Sequence, residues 1–291
     1  MGDSVLWGQG LLPNEKADAL VQQALLPGYA GGVTLESLAH SGAVIGATGA
    51  SGPPEPGEVP APRPSIVEQC GQYANSPETV DLVLLNGGIN DVGVASILNP
   101  FSLIPTLDTR VKHACHDGML VLLKKVIAKF TKPSCKILVL GYYPILSAWS
   151  DPAGVTRLLG VFGIALPDFL EEAADFANPV LARCELFFLD STQRLQRAIA
   201  DAGDARAAFV PSGFTDANAV FVPGTSWLWG IGLDDLSPQD PVAGARRPLC
   251  DIAHSGASQV LAREFCYRAS AGHPNVQGAA QYSRQILAAL G

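Results

Sequence analysis

Apolar positions along the chain follow two rhythms. Asp81–Leu85 and Lys136–Leu140 are short, nearly unbroken apolar runs that end in glycine-containing turns, at Asn86-Gly87-Gly88 and Gly141. Runs of that length predict strands buried on both faces. Val33–Leu38 reads as a further strand running into the turn His40-Ser41-Gly42-Ala43. Elsewhere the period is helical. Asn14–Leu25 sets Ala17, Leu20, Val21, Ala24 and Leu25 on one face, with Asn14 as cap and Pro27-Gly28 as stop. Arg110–Phe130, Pro167–Arg183 and Ser191–Ala202 are expected as helices, and Ala279, Tyr282, Ile286 and Ala289 mark a last one. Ser65 and Glu68 form a capping box at the start of another.

Strands alternating with helices predict a parallel sheet covered on both faces, with chemistry beyond the carboxyl ends of the strands. The 291 residues suit one domain spanning 1–291. Residues 51–64 carry six prolines and read as a surface loop within it. From about 204 to 250 the periodicity breaks down, which predicts a loop-rich insert with one short strand.

Composition narrows the function classes. A net charge of −8 argues against a nucleic-acid partner, which needs a basic face. No apolar run reaches the roughly 20 residues of a membrane-spanning helix. The sequence shows no signal peptide, and the six cysteines lean toward an oxidising, secreted setting, with Cys250 and Cys266 the favoured pair. Buried free thiols are the equal alternative. His113, Cys115, His116 and Asp117 are metal-ligand types, but no second cluster completes a site, so they read as a solvated helix face and no metal is expected. Neither a phosphate-cradling loop nor a dinucleotide fingerprint is present, so no cofactor is expected. Oligomeric state is not legible.

Unusual polar and glycine residues cluster at Gly2-Asp3-Ser4, Ser41-Gly42, Gly88-Ile89-Asn90-Asp91 and Gly272-His273-Pro274. Ester hydrolysis through serine needs a hydroxyl to attack, an imidazole to take its proton, and donors where the carbonyl oxygen becomes negative. Ser4 and His273 supply the first two. The backbone N–H groups of Ser4 and Gly42 and the Asn90 amide are the candidate oxyanion hole. Each cluster also has a plainer reading, as a cap, a tight turn, or, for His273-Pro274, a helix start with proline at its first position.

Taken in order, Gly2-Asp3-Ser4 with Gly8, then Gly42, then Gly88-x-Asn90-Asp91, then His273-Pro274 resemble the conserved blocks of the SGNH (GDSL-like) serine esterase and lipase hydrolases. The resemblance covers nearly the whole chain. It implies a three-layer α/β/α sandwich with a flavodoxin-like, mainly parallel sheet, and hydrolysis of small-molecule or lipid esters through an acyl-enzyme. The chain departs from the pattern twice. The strand that should precede the nucleophile is not in the sequence, and the acid expected three residues before the histidine is Ser270. Ser270 itself, a backbone carbonyl, or Asp251 reaching in from elsewhere are the candidates to orient His273. Asp251 also makes a decoy D-x-x-H with His254. Trp7, Trp227 and Trp229 are candidate walls of an acyl pocket, with core packing the even alternative. A carbohydrate deacetylase or thioesterase would use the same residues, and a degenerate non-catalytic binding module would explain both departures.

Overall fold

The computed structural model describes residues 1–46, 59–60, 64–164 and 174–291. The proline-rich loop at 51–64 and the start of the helix expected from Pro167 lie largely outside these.

Among the described residues three strands form one parallel sheet in the order β1-β2-β3: β1 Leu82–Leu85, β2 Lys136–Leu140 and β3 Ala207–Val210. Val83 pairs with Ile137 and Val139 with Phe209 in the two ladders. In β2 all four residues after Lys136 are buried, so both faces of the central strand are covered, as a continuous apolar run requires. The expected strand at Val33–Leu38 is absent. The segment has no regular structure, is mostly exposed and pairs with no strand among the described residues, so its apolar Val33, Leu35 and Leu38 stay outside the core. On the side of β1 away from β2, the Met1 ammonium donates to Leu84 O at 2.9 Å, and burial lowers its pKa to about 6.

The helices are α1 Ser4–Trp7, α2 Ala17–Leu25, α3 Ile66–Gln72, α4 Ile89–Val92, α5 Val94–Leu98, α6 Ile104–Val111, α7 Met119–Lys129, α8 Pro152–Val161, α9 Ala174–Ala202, α10 Ala243–Ala253, α11 Val260–Tyr267 and α12 Val276–Leu290. Ser65 and Glu68 make the expected reciprocal cap on α3. Three boundaries differ from expectation. Asn14 falls in a short 3-10 turn, and Lys16 is the residue before α2. The helix expected over Arg110–Phe130 begins earlier and contains a π-helical stretch, Lys112–Gly118, between α6 and α7. The two helices expected at 167–183 and 191–202 are one, α9, which runs through Pro179 and includes the apolar Leu186–Leu189 run. None of the described helices is long and apolar enough to cross a membrane.

After β3 the chain from 211 to 242 is mostly irregular and leads into α10. That helix is joined to α11 by the Cys250–Cys266 disulfide, while Cys70, Cys115, Cys135 and Cys184 are buried free thiols. His113 and His116 share Asp117, and His116 also meets Asp201 on α9 at 3.0 Å, so this face is an ion-pair network.

Candidate active site

Ser4 is positioned from below by Asp3, and Asp3 by the carboxyl ends of two strands. The Asp3 carboxylate caps α1 by accepting from Val5 N. It also accepts from Asn86 Nδ2 at 2.5 Å, just past β1, and from the Tyr142 hydroxyl at 2.8 Å, just past β2. Tyr142 Oη in turn accepts from Ile89 N at 2.9 Å, at the start of the helix that carries Asn90. Asp3 is fully buried, and desolvation raises its pKa despite these donors. The approach is tight: a Cβ on Gly2 would lie 1.9 Å from Asn86 Oδ1, so only glycine fits there.

The second and third clusters are tied to the first. Gly2 O accepts from His40 N at 3.0 Å, which sets the turn holding Gly42. Asn90 Nδ2 donates to Ala43 O at 2.9 Å, and the Asp91 carboxylate accepts from Ile45 N. Burial raises the Asp91 pKa to about 6. At Gly88 the φ of +126° and a would-be Cβ 2.9 Å from Cys115 Sγ both demand glycine.

His273 arrives on the loop before α12. Its Nε2 accepts from Ser4 Oγ at 2.7 Å across 269 residues of chain. That bond leaves the ring proton on Nδ1 in the neutral form. Nδ1 is buried and has no partner at hydrogen-bond geometry. The backbone carbonyls of Ser270, Ala271 and Ala269 lie near enough to raise the ring's proton affinity, but burial outweighs them, and the pKa falls to about 4. Arg246 contributes to the lowering.

Three sets of bonds hold the His273 loop. It runs antiparallel to Trp227–Trp229: Trp229 N donates to His273 O, Gly272 N to Trp229 O and Asn275 N to Trp227 O, each at 2.8 Å. The Tyr143 hydroxyl donates to Gly272 O at 3.0 Å. Ser270 Oγ donates to Asp240 Oδ2 at 2.5 Å, and Asp240 is paired through both carboxylate oxygens with Arg246. Asn275, rather than Pro274, caps α12, so the proline stands outside the helix.

A cavity of about 300 Å³ opens beside the pair. Ser4, Asn90 and His273 line it, and Val94, Leu98, Ile145, Leu158, Phe162 and Phe265 are among the apolar residues of its wall. Gly42 is not among the residues walling it; it is linked to Asn90 through the Ala43 carbonyl. Trp7, Trp227 and Trp229 do not line it either. Trp7 stacks on His40 with Lys16 over its ring, while Trp227 packs edge-on against Phe214 and Trp229 pairs with the His273 backbone. Asp251 does not reach His273: its carboxylate accepts from the Tyr267 hydroxyl. His254 ends α10 and is not on the cavity wall. Sequence reasoning missed Asn86, Tyr142, Asp240 and Arg246. Asn86 stands two residues before Gly88 at a strand end and could have been suspected. Asp240 stands 30 residues from Ser270 in a stretch without periodicity, where no local signal points to it.

No family model and no curated protein matches the sequence. Among solved structures, the fold is similar to the crystal structure of phospholipase A1 from Streptomyces albidoflavus NA297, with a TM-score of 0.55 and 17% identity over 100% of this chain and 97% of that one. The likeness is one of fold, and in this chain that fold is a small parallel sheet among many helices.

Proposed function

We propose that the chain is a serine hydrolase of SGNH type that cleaves lipid or other carboxylic esters. The observation that carries this reading is the Ser4 Oγ to His273 Nε2 hydrogen bond on the wall of a largely apolar cavity. Ser4 Oγ attacks the ester carbonyl while Nε2 takes its proton. The carbonyl π pair moves onto oxygen, where Asn90 Nδ2 and the backbone N–H groups of Ser4 and Gly42 are the candidate donors; each such donor is worth about 3 kcal/mol in the transition state. Collapse expels the alkoxide, which receives the proton from His273 and leaves as the alcohol. Water, deprotonated by the same nitrogen, then releases the acid and restores Ser4.

The cavity suits the acyl part of the substrate. Its wall is mostly aliphatic and aromatic, from Val94, Leu98, Ile145, Leu158, Phe162 and Phe265. The resemblance in fold to a phospholipase A1 supports a lipid ester over a small polar one. The fixed Ser4–His273 contact favours catalysis over a degenerate binding module. Hydrolysis of p-nitrophenyl esters by Ser4→Ala and His273→Ala variants tests the reading. Both are expected to lose at least about a thousandfold in kcat, and wild-type turnover in either overturns it.

A further inference from the structure

The buried groups behind His273 do more than fill space. Ser270 occupies the position where the resembling family has its acid, and it is fully buried. Its hydroxyl does not face the imidazole. It donates to Asp240, whose side chain is 0% exposed and lies 33 residues before His273. Arg246, 5% exposed in its side chain, grips both Asp240 oxygens and also donates to the carbonyls of Cys266 and Tyr267 at the end of α11. Ser270 O then accepts from His273 N at 2.9 Å, which closes the turn that carries the ring. A buried ion pair stands a desolvation cost that a pair of apolar residues avoids, so it is weak support for stability alone. Here the pair ends on Ser270, whose carbonyl is one of the three that lie near the His273 ring.

We propose that Asp240 is the positioning acid for His273, acting through Ser270. Its carboxylate fixes Ser270, and Ser270 fixes the turn and the carbonyls that face Nδ1. Arg246 locks the carboxylate in place and offsets its charge. The acid missing from the local D-x-x-H position is thereby supplied from the 204–250 insert, at one remove. This inference rests on Ser4 and His273 forming the catalytic pair.

Two single variants and their combination test it. Ser270→Ala keeps the Asp240–Arg246 pair and removes only the link. Asp240→Asn keeps an acceptor for Arg246 and removes the charge. Each is expected to lower kcat by about ten- to a hundredfold, the effect of one charge-assisted hydrogen bond, with KM within about twofold of wild type. The double variant is expected to lose no more than about twofold beyond the worse single, since both cut the same chain.

A pH profile separates positioning from mere packing. The charged and titratable groups around His273 are Asp3 beneath Ser4, Tyr143 on Gly272, Arg246 on α10, Arg268 just after α11 and Asp240 itself. Without the Asp240 charge, Arg246 acts unopposed on the imidazolium, so the acidic limb of kcat/KM moves to lower pH in Asp240→Asn. A limb that stays in place in folded Asp240→Asn overturns the proposal, as does wild-type kcat in Ser270→Ala. If Asp240→Asn does not fold, Ser270→Ala decides alone. Turnover surviving in Ser4→Ala would instead sink the catalytic pair itself, which keeps the two failures distinct.

Discussion

Replacing Ser270 by Asp restores the residue type that the resembling family carries at this position, and the structure says the change is harmful. Ser270 Oγ lies 2.5 Å from Asp240 Oδ2, so a new carboxylate there faces an existing one in a fully buried site. Two like charges about 4 Å apart repel by about 4 kcal/mol at an effective dielectric constant of 20, and the cation paired with Asp240, Arg246, is already bound to both of its oxygens. A loss of that size lowers Tm by about 8–15 °C in a chain of this length. The two carboxyls relieve the repulsion by sharing a proton, so their folded pKa lies above the unfolded value and the penalty shrinks as pH falls. Thermal unfolding of Ser270→Asp and wild type at pH 8 and pH 5 measures this. The expected outcome is a large deficit at pH 8, a smaller one at pH 5, lower esterase turnover at both, and recovery in the swapped pair Ser270→Asp with Asp240→Ser. Wild-type Tm at pH 8 together with raised turnover would show that Ser270 is simply a vacant acid position and that the placement of Asp240 is wrong.

Because burial holds the His273 pKa at about 4, the ring stays neutral and competent as a base well into acid; the acidic limb of kcat/KM is expected near pH 4, and a limb at 6.5 would contradict the buried geometry. The same depressed pKa costs stability as pH falls from about 6.5 to 4, because the unfolded chain takes up a proton the folded one refuses. Asp91, with its pKa raised to about 6, acts in the opposite sense, gaining stability as pH falls from about 6 to 3.8. Each shift is worth about 3 kcal/mol, so between pH 6.5 and 4 urea unfolding of His273→Ala is expected to gain stability relative to wild type as pH falls, by up to about that amount; a stability difference between the two proteins that does not change with pH contradicts the account. Leu158→Trp adds bulk to the apolar wall and is expected to shift preference from decanoyl toward butyryl p-nitrophenyl esters by about tenfold in relative kcat/KM; an unchanged profile removes this cavity as the acyl site.

What was legible in the sequence was local. The β1 and β2 runs show as consecutive apolar positions because a central parallel strand is buried on both faces. The Ser65–Glu68 cap shows because both of its partners lie within one turn. The clusters at Ser4, Asn90 and His273 stand out because strand ends and tight turns need glycine and short polar residues that regular elements avoid. The Cys250–Cys266 pair is close in sequence and in space. What was not legible depends on distant partners. Val33–Leu38 has strand-like composition but pairs with no strand among the described residues. Trp227 and Trp229 have the size of pocket walls, and their backbones instead form a short ladder with the His273 loop. The link from Ser270 to Asp240 and Arg246 joins three segments whose spacing follows no period, so only the folded chain reveals it.

The central claim is that one serine hydroxyl, activated by one imidazole, is the nucleophile. Labelling the wild-type protein with a fluorophosphonate probe and mapping the modified peptide by mass spectrometry tests it most directly. A single adduct on Ser4, lost in Ser4→Ala and much slowed in His273→Ala, is the expected result. An adduct on another residue, or no adduct on folded protein, contradicts the claim.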